Sequence, residues 1–279
     1  MPGKSDINYF IESQVSANKR FFPGFFTEED YWKDHSKEGL MSLFDEAGSE
    51  VLGLKAPDTF FYEKAHSRLR ELVSESTKYI LILRSPTDRA LSHYWLDYAK
   101  GREQEELSVA LRQEEQRMRQ SDFAKDHFSY KSRGFYAQSL KKWHARFGKE
   151  STLVLILDDL RNDPQSEWCK IQDFLGLTRH PYEDIPVSNQ NIAMTMREGL
   201  GSLKGLAESY ADMVFRITAR LKLSNEAKIV WRNRLRKPFF KSVKGYETDP
   251  QVKKQLEEMY KPAIKELEDY LGRDLTKWK

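Results

Sequence analysis

The hydrophobic period changes repeatedly along the chain. Lys78–Arg84 (KYILILR) is a continuous apolar run between two basic residues. Such a run predicts a strand buried on both faces, as in a parallel sheet. Ser151–Leu157 (STLVLIL) repeats the pattern. Glu50–Leu54 (EVLGL), stopped by Lys55-Ala56-Pro57, predicts a third, shorter strand. Between these runs the apolar positions take helical spacing. Phe61, Leu69, Leu72 and Val73 predict a helix within Asp58–Val73, and Tyr136, Leu140 and Trp143 predict one over Phe135–Phe147. A helix also starts at Pro86 and runs to Lys100.

Later punctuation is sharper. Asp163 is a predicted N-cap with Pro164 at the first helical position and Gly176 past the end, and Trp168, Ile171 and Leu175 form the apolar stripe. A last helix runs from Asp249-Pro250 to Gly272, kinked at Pro262, with Val252, Leu256, Tyr260, Ile264, Leu267 and Leu271 on its buried face. Gly101–Ser121 is highly charged and reads as an exposed helix or lid. Gln190–Pro238 reads as wholly helical. Strands alternating with helices imply βαβ units. The expectation is one α/β domain over residues 1–279, with a central parallel sheet and a helical insertion near residues 190–238.

Composition narrows the class. The 279 residues carry 46 Lys+Arg against 43 Asp+Glu, which excludes a globally basic nucleic-acid binder. Aromatics at 13% argue against disorder. A single cysteine excludes an internal disulfide and a Cys-based zinc site. No apolar run approaches the roughly 18–20 residues of a membrane span, and Met1–Asp6 has no secretory pattern. These features predict a soluble, cytoplasmic protein. The six histidines form no metal spacing. Gly199–Gly205 superficially resembles a dinucleotide fingerprint, but its third spacing is wrong.

The chemistry concentrates in Tyr79–Tyr94 (YILILRSPTDRALSHY). The first strand delivers Arg84 to its C-terminal end, where open parallel sheets bind ligands. Ser92 lies about two turns into the following helix. A guanidinium fork with a hydroxyl nearby suits a phosphate. The alternative is an Arg paired with its neighbour Asp88.

This segment reads Arg-x-Pro-x-x-Arg-Ala-x-Ser-x-Tyr. It resembles the sulfotransferases that use 3′-phosphoadenosine 5′-phosphosulfate. Other segments agree in order. Gly53-Leu54-Lys55-Ala56-Pro57 resembles Gly-x-Lys-[Ser/Thr]-Pro, with Ala56 replacing the hydroxyl residue. Gly134-x-Tyr136 precedes a helix ending in Trp143 and Phe147. Leu157–Pro164 (LDDLRNDP) with Phe174-Leu175-Gly176 resembles Glu-Asp-Leu…Asp-Pro…Phe-Leu-Gly, with Asp158 in place of Glu. Lys4–Phe10 and the ending from Asp249-Pro250 through Leu271–Leu275 to Trp278 look like the carbohydrate-type, heparan-type branch.

The resemblance implies a P-loop NTPase-like three-layer fold and sulfuryl transfer from 3′-phosphoadenosine 5′-phosphosulfate, without a metal, to a hydroxyl or amine of an acceptor. A carbohydrate acceptor is implied first, with lipids and small metabolites open. Arg84 and Ser92 would hold the 3′-phosphate. Lys55 would neutralise charge on the transferring group or contact the acceptor. Asp6 takes the place of a general base, one methylene shorter than the usual Glu, or is a turn Asp. His93 either faces the acceptor or is a satisfied core histidine. Tyr136 is an acceptor-side candidate.

Lys241-Ser242-Val243-Lys244-Gly245 resembles a Lys-Gly-Arg loop that wraps the nucleotide in the carbohydrate branch, with Lys241 or Lys244 as the leading Lys. Gly245 would let backbone N–H groups approach a phosphate. The loop closes a basic tract: residues 216–244 hold ten Lys+Arg against Glu226 alone. The tract is a solvated face, a surface that steers a polyanionic acceptor or the nucleotide, or a contact for an anionic membrane. The Pro-Lys-x-Gly-Thr loop that cradles the 5′-phosphosulfate in the family has no counterpart in the 279 residues. The expectation is a chain starting after the family's first strand, loop and helix, with little activity as it stands. An impaired or non-catalytic nucleotide- or polyanion-binding member is the alternative.

Overall fold

The computed structural model describes residues 37–42, 52–56, 59–99, 102–183, 193–196, 240–243 and 248–278, with isolated positions between 206 and 238. In chain order the elements are α1 (Lys37–Ser42), α2 (Glu63–Leu72), β1 (Tyr79–Leu83), α3 (Pro86–Ala99), α4 (Leu107–Met118), α5 (Asp122–His127), a 3₁₀ turn (Ser132–Gly134), α6 (Tyr136–Phe147), β2 (Thr152–Ile156), α7 (Leu157–Asn162), α8 (Pro164–Leu175), β3 (Ala193–Met196), β4 (Phe240–Val243), α9 (Pro250–Leu271) and a 3₁₀ turn (Thr276–Trp278).

The two strongest apolar runs form the parallel pair. β1 and β2 register from Tyr79↔Thr152 to Leu83↔Ile156. Both strands therefore end at the same edge, and the chain leaves each into a helix. The core lies against this pair. Leu83, Ala90, Tyr94, Leu140, Ile156, Tyr260, Ile264 and Leu267 pack together, joining β1, β2, α3, α6 and α9. Each fully buried Leu or Ile contributes about 1.5–3 kcal/mol of transfer free energy. A second cluster joins α1, α2 and α6 through Leu40, Tyr62, Ala65, Leu69 and Trp143.

The predicted caps form. Asp163 accepts from Ser166 N and Asp249 from Gln251 N, each followed by Pro at the helix start. Gly176 (φ 68°) and Gly272 (φ 64°) close α8 and α9 in the left-handed region, where a Cβ is costly. Pro262 is accommodated inside α9, whose buried residues Val252, Leu256, Tyr260, Ile264 and Leu267 repeat at helical spacing.

Four expectations are corrected. Leu52–Ala56 is irregular, not strand, and residues 50–51 lie outside the described residues. Gly53 adds no side chain to a short run that Pro57 ends, so little holds it extended. β1 is not buried on both faces: Ile82 is 55% exposed while Leu83 is buried. A continuous apolar run is fully buried only where both sheet faces are covered. Gln190–Pro238 is not wholly helical, because Ala193–Met196 pairs antiparallel with Phe240–Val243, Thr195 facing Lys241. Ala and Met favour helix, and a non-local pairing overrides that propensity. The charged Gly101–Ser121 stretch is not an exposed lid. Its helix α4 buries Leu107, Ala110, Leu111 and Glu114, and the Glu114 carboxylate accepts from the backbone N–H groups of Lys131 and Ser132 at 2.6 and 2.8 Å.

Candidate functional site

The shared edge of β1 and β2 carries the candidate site. β1 ends at the buried Leu83, and Arg84 follows it directly. Ser85 then opens α3: its hydroxyl accepts from Asp88 N at 3.3 Å, and its carbonyl accepts from Arg89 N. Pro86 is pre-set for the first helical position, so strand, turn and helix follow from five consecutive residues.

Arg84 is partly buried. Burial pulls its pKa down from the ordinary value, opposed by Tyr136, while Arg89 adds to the fall, Asp88 opposes it, and Arg161 adds again. Among the described residues, Arg84 forms no hydrogen bond or ion pair. Asp88 is close enough to act on it electrostatically and still does not pair with it. A desolvated guanidinium with no acceptor among the described residues, within electrostatic reach of Arg89 and Arg161, has its donors available for an anion.

Tyr136 opens α6 and is buried at 6% exposure. Its ring lies 6.4 Å from that of Trp278. Burial raises the phenol pKa, opposed by Arg89 and Arg84. Tyr136 and Arg84 are thus close enough to act on each other electrostatically.

His93 turns inward from α3. Its Nε2 lies 3.2 Å from Asp97 Oδ2, and its ring meets Tyr130 edge-on at 5.0 Å. Burial lowers its pKa to about 4 against the raising effect of Asp97, so the ring is neutral. Asp97, 1% exposed, is shared: Arg102 Nη1 donates to Oδ1 at 2.7 Å, and His127 Nδ1 lies 3.7 Å from the same oxygen. Tyr130 donates to Glu103, which also pairs with Arg117 at 2.8 Å. This polar network packs behind the helix that carries Ser92. For His93 this is the placement of a core histidine, but not of a fully satisfied one, because its buried Nδ1 meets no hydrogen-bond partner among the described residues.

Ser92 is half-buried on α3. Two neighbours of the Lys241 strand touch the same helix. β3, the partner of β4, packs on α3. On the other side Trp95 Nε1 donates to Thr248 Oγ1 at 3.2 Å. Lys241 lies in β4; Lys244 and Gly245 fall outside the described residues, as does Asp6. Lys55 is exposed in the irregular Leu52–Ala56 segment. The structure therefore puts Arg84 and Tyr136 within electrostatic reach of each other, places Ser92 and His93 on the helix against which β3, the partner of the strand carrying Lys241, packs, and leaves Lys55 on a separate segment.

Arg161 was not anticipated. It follows β2 much as Arg84 follows β1, and the parallel register brings both to one edge. Its signal was a basic residue four positions after the second apolar run. The aspartates of LDDL have a structural role. Asp158 accepts from Trp278 Nε1 and Asp159 from Arg273 Nη2, each at 2.8 Å, while Arg273 Nη1 donates to Val154 O at 2.9 Å. The C-terminal segment is strapped across the end of β2.

The parallel β1–β2 pair carries, at the edge where both strands end, a partly buried guanidinium without a partner among the described residues. The profile of the sulfotransferase domain matches residues 57–201, just over half of the chain, and the protein belongs to that family. It is 30% identical over 126 residues to mouse heparan sulfate glucosamine 3-O-sulfotransferase 3B1, covering 45% of this chain and 31% of that protein. It is also 30% identical over 138 residues to mouse bifunctional heparan sulfate N-deacetylase/N-sulfotransferase 4, covering 47% of this chain and 15% of that one. The match thus spans less than a third of the length of either relative. The crystal structure of a sulfotransferase from Alicyclobacillus acidocaldarius superposes with a TM-score of 0.60 at 21% identity, over 99% of this chain and 87% of that one. The fold is the α/β sulfotransferase fold. Among the described residues, no helix is long and apolar enough to cross a membrane.

Proposed function

We propose that residues 1–279 form one sulfotransferase-like domain that moves a sulfuryl group from 3′-phosphoadenosine 5′-phosphosulfate to a hydroxyl or amine of a carbohydrate acceptor. The observation that carries this reading is the partly buried Arg84 guanidinium, unpaired among the described residues. A bound 3′-phosphate would supply the two oxygens its fork requires. Ser92 adds a donor from α3, and Lys241, Lys244 and Gly245 close over the nucleotide from the segment next to that helix. The co-substrate brings the sulfuryl group. On the protein side, Lys55 balances charge near the acceptor and Asp6 draws off the acceptor proton. Heparan sulfate in the names of the relatives supports the carbohydrate acceptor.

The test is calorimetry with adenosine 3′,5′-bisphosphate, which should bind the wild type and bind Arg84→Ala roughly a hundredfold more weakly. Binding by neither protein sinks the reading. In a second reading the same unpaired guanidinium holds the nucleotide or a polyanion with little or no transfer, since either supplies the oxygens its fork accepts. A sulfuryl-transfer assay on the same chain separates the two, since only the first predicts sulfated product.

A further inference from the structure

A second pair of cations lies at the opposite end of β1. A cleft of about 200 Å³ opens there, lined among others by Arg70, Ser74, Glu75, Tyr79, Arg146 and Phe147. Tyr79 is the first residue of β1, and Arg84 follows the last. Five steps of extended chain put roughly 16 Å between them. The cleft is therefore separate from the Arg84 site.

Arg70 sits in the last turn of α2 and Arg146 in the last turn of α6. A cation in a last turn complements the helix dipole, but that does not require two of them to converge on one concavity. Each makes one structural bond. Arg70 Nη1 donates to Arg146 O at 3.3 Å, and Arg146 Nη2 donates to Ser67 Oγ at 3.0 Å. A guanidinium has five N–H donors, so both keep most of theirs unused. Among the described residues neither forms an ion pair, and Glu75, which lines the same cleft, pairs with neither. The lining is also aromatic: the rings of Tyr79 and Phe147 lie 4.9 Å apart. Burial raises the Tyr79 phenol pKa against the lowering effect of Arg70, so its hydroxyl stays a donor.

We propose that this cleft binds a tetrahedral oxyanion, a sulfate or phosphate group. Two forks carried by different helices exceed what one carboxylate can fill, because its two coplanar oxygens satisfy a single fork. A sulfate or phosphate presents oxygens in several directions, enough for both arginines. It would also relieve the repulsion between two like charges in one cleft. The group is either the free ion or its ester on a larger molecule. None of this depends on nucleotide binding at Arg84.

The experiment uses the full chain carrying Arg84→Ala, which removes the other anion site. Sodium sulfate is titrated at constant ionic strength while NMR follows the arginine Nε–Hε signals. Two signals, identified by their loss in Arg70→Lys and Arg146→Lys, should shift to saturation. Sodium acetate should leave them nearly fixed. Arg70→Ala and Arg146→Ala should each weaken sulfate binding about tenfold or more. Glu75→Gln removes a repelling charge without breaking a bond to either arginine, and should tighten binding about two- to threefold. A sulfated heparin disaccharide that saturates both signals at lower concentration than sulfate supports the ester as ligand; the reverse order supports the free ion. The inference is overturned if sulfate shifts neither signal to saturation, or if acetate shifts both as strongly. It is also overturned if the Ala variants, folded by their melting curves, bind sulfate like their parent, or if Glu75→Gln weakens binding.

Discussion

A Cβ placed on Gly134 would lie 2.6 Å from Cε1, Cζ and Oη of Tyr260. Tyr260 is fully buried in α9 and donates to Lys131 O at 2.7 Å, so its ring is held both by packing and by the turn it covers. The turn in question leads into α6 and sets the position of Tyr136 beside Arg84. Gly134→Ala must displace either the ring or the turn. We expect it to destabilise the fold by about 1–3 kcal/mol, read as a lowered urea midpoint. An unchanged midpoint would mean that the ring moves at no cost.

Arg84 and Ser92 differ in what they contribute to anion binding. Arg84→Ala removes a charged, two-pronged donor, and calorimetry with adenosine 3′,5′-bisphosphate should read an affinity roughly a hundredfold lower. Arg84→Lys keeps the charge without the fork and should recover only part of it. Ser92→Ala removes one neutral donor and should cost roughly five- to tenfold. Equal losses from Arg84→Ala and Ser92→Ala would contradict these roles.

Arg161, near Arg84 but with a largely exposed side chain, acts through screened charge. Arg161→Ala should weaken bisphosphate binding by no more than about threefold, and raised salt should erase the difference. A large effect that survives high salt would place Arg161 in direct contact with the nucleotide.

Burial holds His93 and His127 at about 4, below their ordinary 6.5. Burial likewise lowers His66 and His144. These groups bind protons more readily in the unfolded chain. Their effect on stability is constant above about pH 6.5, and stability falls as pH drops from there toward about 4. Denaturant titrations across that window should show the fall. His93→Gln should make it shallower, and a flat profile would refute neutral burial of these rings. Asp97→Ala leaves Arg102 without its buried partner and should cost about 3–5 kcal/mol at neutral pH.

The C-terminal strap yields a separate stability prediction. Arg273 and Trp278 reach Asp159, Val154 O and Asp158, and Leu275 and Trp278 are buried. Arg273→Ala should destabilise by about 1–3 kcal/mol. Trp278→Phe, which keeps the ring and removes the donor, should cost about 1 kcal/mol in thermal melts. Loss from Trp278→Phe should disappear in an Asp158→Ala background, as a double-mutant cycle would read it.

What was legible in the sequence was local. Continuous apolar runs marked β1 and β2, and Asp-Pro and Gly punctuation marked α8 and α9, because caps and turns depend on neighbouring residues alone. Arg84 was legible for the same reason: a strand, Ser-Pro and a helix follow one another within a few residues. The errors arose where the outcome depended on distant chain. Ala193–Met196 is a strand only because Phe240–Val243 lies beside it. Ile82 is exposed because burial depends on what covers the sheet, which no run of residues encodes. The charged α4 looked solvated until its Glu114 met two backbone N–H groups from beyond α5.

By itself, then, the sequence determined the family, the strand–turn–helix that presents Arg84, and the caps that delimit the helices, all written in contiguous residues. Only the tertiary structure decided that Arg84 and Arg161 share one sheet edge. It also decided that His93 turns into a buried acid–imidazole network, that LDDL straps the C-terminus, and that Arg70 and Arg146 line one cleft. Each of these is a relation between segments far apart in the chain. The free energy that selects it comes from packing, desolvation and charge in three dimensions, and local spacing does not carry it.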